Sequence, residues 1–134
     1  MEVVRITAES GDGRSEGIDL GVDDSGTPTI KLTRANGAIS VHPGEDLFEC
    51  LKSVRHALES DGLLACCQGS RPTVFSSGMG RQMSNGRLAY PLRRVPPLTD
   101  ADLIDIFAPA HLSEVGTVEE QRQAVMEFFG FTKK

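Results

Sequence analysis

The sequence predicts a single α+β domain over residues 1–134, with helices packed on a mostly antiparallel sheet. Three observations carry this reading. Strand-type alternation fills the first 43 residues, a helical period runs from Leu47 to Leu58, and short apolar runs then give way to capped helical patterns.

In order along the chain, Val4, Ile6 and Ala8 alternate with Arg5, Thr7 and Glu9, as in a half-buried strand. The polar stretch SGDGRSEG at 10–17 reads as a loop. Ile18, Leu20 and Val22 alternate again, and DDSG at 23–26 signals a turn. The segment TIKLTR then meets Ala35-Asn36-Gly37-Ala38, where Asn-Gly suits a two-residue type I′ hairpin. That turn pairs Ala35 with Ala38, sets Leu32 opposite Val41, and places Ile30 and Ile39 on the same face.

Gly44-Glu45-Asp46 opens a helix, with acids where the positive end of the dipole favours them. Leu47, Leu51, Val54 and Leu58 form its apolar stripe, while Glu49, Lys52, His56 and Glu59 form the polar face. Asp61-Gly62 supplies the stop. LLACC at 63–67 reads as a strand buried on both faces, and TVFS at 73–76 and RLAYPL at 87–92 are further strands. After Pro96-Pro97, Thr99 is placed to cap a short helix containing Leu103, Ile104, Ile106 and Phe107. Thr117 and Glu120 have capping-box spacing and begin a last helix through Val118, Val125, Phe128 and Phe129.

Composition narrows the function classes. A chain of 134 residues is long enough to bury a core without disulfide staples. With six Phe, one Tyr and no Trp, aliphatic side chains must supply most of that core. A net charge of -5 argues against a duplex-DNA binder, which would present a basic face. No apolar run has the length of a membrane span, and MEVVRITAES has no signal-peptide pattern, so the expected location is cytoplasmic. Cys50, Cys66 and Cys67 have neither CxxC spacing nor a histidine cluster, and DDSG lacks spaced calcium ligands. Reduced thiols and no metal or cofactor are therefore expected.

The most informative feature is a gap in charge. Residues 62–99 contain no acid but include Arg71, Arg81, Arg87, Arg93 and Arg94. Within this window the candidate binding residues are Arg71, Ser76, Ser77, Gly78, Met79, Gly80, Arg81, Met83 and Arg87. The arginines present planar forks for carboxylate or phosphate, the serines add hydroxyls, and glycine lets backbone amides approach an anion. The methionines add adaptable apolar contact. This chemistry fits a small anionic ligand or an acidic surface on a protein partner. It equally fits arginines that pair with acids of this same domain. The glycines are not followed by the Lys-Ser/Thr of a Walker loop, and GMG opens no clear helix for a dinucleotide fingerprint.

The residues Cys67-Gln68-Gly69-Ser70-Arg71, Val74, Ser77-Gly78-Met79, Arg81, Met83, Gly86 and Ala89-Tyr90 resemble a group of small bacterial proteins of unknown function. That group shares the pattern C-x-G-x-R, V, S-G-M-x-R-x-M, G and A-Y. Asp105-Ile106-Phe107 and Val118-Glu119-Glu120-Gln121 are similar to the same group, so the resemblance covers residues 60–129. It implies no activity, cofactor or catalytic residue. Small domains of this sort can be encoded beside toxin genes as immunity proteins.

Three functions follow as expectations. The first is a non-enzymatic binding module that uses the 69–87 segment. The second is an immunity-type inhibitor whose acidic surface covers a basic toxin, with charge steering the encounter. The third is a small enzyme with a cysteine or serine nucleophile, which would need a thiolate stabilised by a nearby base or cation.

Overall fold

The computed structural model describes residues 1–76, 84–93 and 99–130. Among these, five antiparallel strands form one sheet in the order β4-β3-β2-β1-β5. They are β1 (Glu2–Glu9), β2 (Ser15–Asp23), β3 (Thr29–Thr33), β4 (Ile39–Pro43) and β5 (Leu64–Ala65). A second sheet, ordered β6-β7-β8, comprises β6 (Val74–Phe75), β7 (Leu88–Pro91) and β8 (Ile104–Asp105). Helix α1 (Leu47–Glu59) crosses the large sheet, and α2 (Val118–Phe128) closes the chain. The fold is α+β, with its strands divided between two sheets.

The alternation read from the first strands sets the core. Pairing Ile6 with Ile18 and Val4 with Leu20 puts one apolar row of β1 and β2 on the inner face. Ile18, Leu20, Ile30 and Leu32 are fully buried there, against Leu47, Leu51, Val54 and Leu58 of α1. Asp46 caps α1 by accepting the Glu49 amide at 2.9 Å. The helix ends where Gly62 takes a φ of +76°, a conformation that costs glycine little. The predicted capping box of α2 is present: Thr117 accepts from the Glu120 amide at 3.0 Å, and Glu120 accepts from the Thr117 amide at 2.8 Å.

Two expectations are overturned. The β3–β4 hairpin is one residue out of the predicted register. The Arg34 amide donates to Ala38 O at 2.8 Å, so the loop is Ala35-Asn36-Gly37 rather than Asn-Gly alone. Leu32 consequently pairs with Ser40, Ile30 with His42, and Lys31 with Val41. A type I′ turn needs positive φ at both central residues, but here Gly37 is left-handed at +90° and Asn36 is not. The tertiary reason is a clamp. Glu16 accepts from Arg34 Nε at 2.8 Å and from the Ala35 amide at 2.9 Å, while Asp61 accepts from Arg34 Nη1 at 2.8 Å. The slip of one residue turns Ile39 and Val41 to solvent, at 58% and 62% exposure.

The helix expected after Thr99 is instead a short 3-10 turn, Asp100–Asp102, followed by β8. Asp102 folds back to accept the Thr99 amide at 2.8 Å, and Ile104 pairs with Ala89 across the small sheet. Sheet pairing satisfies backbone groups that a helix of this length would leave open at its ends.

Candidate functional site

The charge gap is filled from within at two positions. Arg87 pairs with Glu2, its Nη2 lying 2.9 Å from Oε2, and meets Asp105 Oδ2 at 3.4 Å. Its guanidinium also stands 5.2 Å from the Phe107 ring centroid. Hydrogen bonding to Arg87 lowers the Glu2 carboxyl, and the same contact raises the arginine. Arg93 holds Asp102 at 2.6 Å. Arg71 donates to the side-chain oxygen of Gln68 at 2.8 Å.

The backbone around Gly69 is not an anion nest. The amides of Gln68, Gly69, Ser70 and Arg71 donate to Ala108, Ile106, Cys67 and Gln68 carbonyls respectively. Gly69 is small because of close packing: an added Cβ would meet Leu51 Cδ2 at 2.6 Å and Ile106 Cβ at 2.9 Å. Of the predicted site, Arg71, Ser76 and Arg87 are described. Ser77, Gly78, Met79, Gly80, Arg81 and Met83 lie outside the described residues. The structure does not gather its three described members. Arg87 faces a shallow cleft lined by Met1, Glu2 and Asp23, whereas Ser76 opens on a different surface.

That surface is concave. It is a groove of about 460 Å³ between α1, α2 and β6. Phe48, Val74, Phe75, Val125, Met126 and Phe129 form its apolar walls. The Phe75 and Phe129 rings meet edge to face at 5.4 Å, and Phe129 remains 44% exposed. Ser76 Oγ is buried and has no hydrogen-bond partner, an arrangement that costs stability unless something fills it. Lys52 and Arg122 stand at the rim. Lys52 reaches Glu49 at 3.2 Å and lies 5.2 Å from the Phe48 centroid, while Arg122 reaches Glu119 at 2.6 Å. Both pairs are three residues apart on helix surfaces, where ion pairs are weak and exchange readily for another acid.

Behind the groove the same two helices are locked by a polar knot. Arg55, 1% exposed, donates to Gln121 Oε1 at 2.7 Å and to the Gly69 and Gly116 carbonyls at 3.2 Å. Gln121 in turn donates to the Gly69, Arg71 and Val74 carbonyls at 2.9, 2.9 and 3.1 Å. Burial lowers the Arg55 pKa. This knot fixes the chain from Gly69 to Val74, and with it the position from which Ser76 enters the groove.

The three cysteines are buried and free. Burial pushes the Cys50 thiol up to about 11 and the Cys66 thiol up to about 12, and it raises Cys67 as well. Their thiolates are therefore scarce at neutral pH, which is poor preparation for nucleophilic attack. Cys66 lies 3.6 Å from the Glu9 carboxylate, which disfavours a second negative charge. His42 is held by Ser40 at 2.7 Å and Ser53 at 2.8 Å. Among the described residues, no three His, Cys, Asp or Glu side chains cluster as metal ligands. No described helix is long and apolar enough to cross a membrane.

The sequence reading passed over Phe48 and Arg122, took Lys52 only as part of the polar face of α1, and took Val125 and Phe129 only as positions along the last helix. A signal was present. Aromatics are scarce in this chain, yet Phe128 and Phe129 stand together at the end of a helix. No protein-family model matches the sequence, and no match to a curated protein is found.

Proposed function

We propose that the chain is a small non-enzymatic binding module whose ligand lies in the α1–α2–β6 groove, with the 69–87 segment contributing through Ser76 and the residues that follow it. The observation that carries this reading is an apolar groove of about 460 Å³ lined in part by Ser76, whose hydroxyl is buried without a partner beside it. That volume is in the range of small-ligand sites, which pair mostly apolar walls with a few polar groups. The rim cations Lys52 and Arg122 favour a ligand with an apolar body and an anionic head. This retains the anionic preference expected from the sequence but moves its source from Arg87, which is held by Glu2 and Asp105, to the helices.

The test is calorimetric titration with dodecanoate and with dodecyltrimethylammonium, which share a chain length but differ in charge. Dodecanoate binds the wild type, Val125→Asp abolishes binding, and the Lys52→Ala/Arg122→Ala pair weakens it at least about tenfold. Absence of binding by either amphiphile would sink the reading. Equal affinity for both would remove the rim cations from it. Arg81→Ala probes the remainder of the segment, and an unchanged affinity would limit its contribution to Ser76.

A further inference from the structure

Among the described residues no strand pairs with the outer side of β4, and the hairpin slip turns its apolar side chains to the outer face. Hydrogen bonds from the Arg34 amide to Ala38 O and from the Gly44 amide to Pro28 O bracket the β3–β4 ladder. Between them antiparallel pairs alternate, so Ser40 and His42 direct their backbone groups at β3. Ile39 and Val41 therefore direct their N–H and C=O groups at the free edge. The same two residues expose their side chains on the outer face, at 58% and 62%. No residue of β4 is charged, so the edge lacks the lysine that commonly blocks strand addition. The opposite edge is protected differently. There β5 has only two residues, and the chain turns away at Cys67 to pair with Pro109.

We infer that β4 is a self-association edge whose occupant is β4 of a second copy of this chain, added antiparallel about a two-fold axis at Ser40. The register is self-complementary. With the axis at Ser40, Ile39 faces Val41 of the second copy and Val41 faces its Ile39. Each facing pair exchanges two backbone hydrogen bonds, so all four outward groups in each copy are satisfied. On the outer face the Ile39 and Val41 side chains of the two copies form one apolar cluster with no like charges across the axis. Lys31, which pairs with Val41 within the chain, falls in the row that continues to Ile39 and Thr33 of the second copy, so it does not face the second Lys31. Pro43 has no N–H and ends the ladder, and the two-fold arrangement uses up both edges. The product is a discrete dimer with a continuous ten-stranded sheet. Its contact is small, so the association is weak.

This inference is independent of the groove, whose lining includes no residue of β4. Sedimentation equilibrium from micromolar to millimolar chain tests it, together with exchange of the Ile39 and Val41 amides at both ends of that range. The wild type dimerises, and those two amides gain protection as concentration rises. Val41→Lys raises the dissociation constant at least about tenfold. Val41→Pro does the same while keeping the native circular dichroism, because that N–H is unused within the chain. Val3→Lys changes an equally exposed valine on β1 and dimerises as the wild type does. A wild type that is monomeric throughout, a Val41→Lys variant that still dimerises, or a Val3→Lys variant that does not would each overturn the inference.

Discussion

The α1–α2 contact has two ends built on opposite terms. At the inner end, Arg55 and Gln121 donate to four backbone carbonyls between Gly69 and Gly116, and of their polar atoms only Arg55 Nε is left without a partner. At the outer end, two residues beyond Val74 on the same chain segment, Ser76 has a buried hydroxyl with no partner, and Phe129 is left 44% exposed. The contrast shows how a small domain holds a binding surface open. Polar satisfaction is concentrated where the helices must be fixed, so the adjoining surface can remain incomplete without losing its shape.

The strongest way to break this comparison is to remove the closed end. Gln121→Ala removes four hydrogen bonds of the knot, the one accepted from Arg55 and those donated to the Gly69, Arg71 and Val74 carbonyls, and it should cost about 3–5 kcal/mol in urea denaturation. Val125→Asp at the open end should cost under about 1 kcal/mol while abolishing dodecanoate binding. Comparable losses from the two changes would mean that the groove is merely core with a gap in it.

A smaller effect should come from the clamp that fixes the β3–β4 register. Arg34 holds the Glu16 carboxyl down to about 2, from an ordinary 4.5. A lowered carboxylate adds stability that is complete above the unfolded pKa and is lost as pH falls from about 4.5 towards about 2. Glu16→Gln should flatten that acid limb by about 1–2 kcal/mol, since the pair is partly screened by solvent. An unchanged limb in the variant would remove the clamp as the source of register control.

Next in size is Thr117→Ala. It deletes the α2 cap and should lower the urea midpoint by an amount equivalent to about 1 kcal/mol. Its effect on dodecanoate affinity should be slight, because the cap lies at the far end of the helix from Phe129. The smallest change sharpens the comparison most. Ser76→Ala removes a hydroxyl that has no partner, so it should leave stability unchanged or raise it by up to about 1 kcal/mol. The same substitution should weaken ligand binding. A marked loss of stability would show that the hydroxyl is satisfied within the folded chain.

Much of the architecture was legible because its signals are local. The inward rows of β1 and β2, the buried stripe of α1, and the Thr117–Glu120 box depend on residues within a few positions of each other. The candidate site was legible only at its edge. Ser76 does face the groove beside Val74 and Phe75 of β6, but the remaining walls come from residues 48–52 and 121–129, in α1 and at α2. Nothing in the 69–87 segment announces those helices. The arginine pattern was visible and its meaning was not, because Arg87 finds Glu2 across 85 positions of sequence.

The sequence by itself therefore determined the α+β class, the faces of β1, β2, β3 and α1, and the start of α2. Periodicity and capping are short-range constraints that each segment carries alone. Tertiary structure decided the register of β4, the burial of Arg55 and Gln121, and the neutralisation of Arg87 and Arg93. Each depends on groups that folding brings together from distant parts of the chain: Glu16 and Asp61 at Arg34, loop carbonyls at Arg55, Glu2 and Asp105 at Arg87. A hairpin turn can be read from four residues, but the clamp that overrides it comes from two other elements.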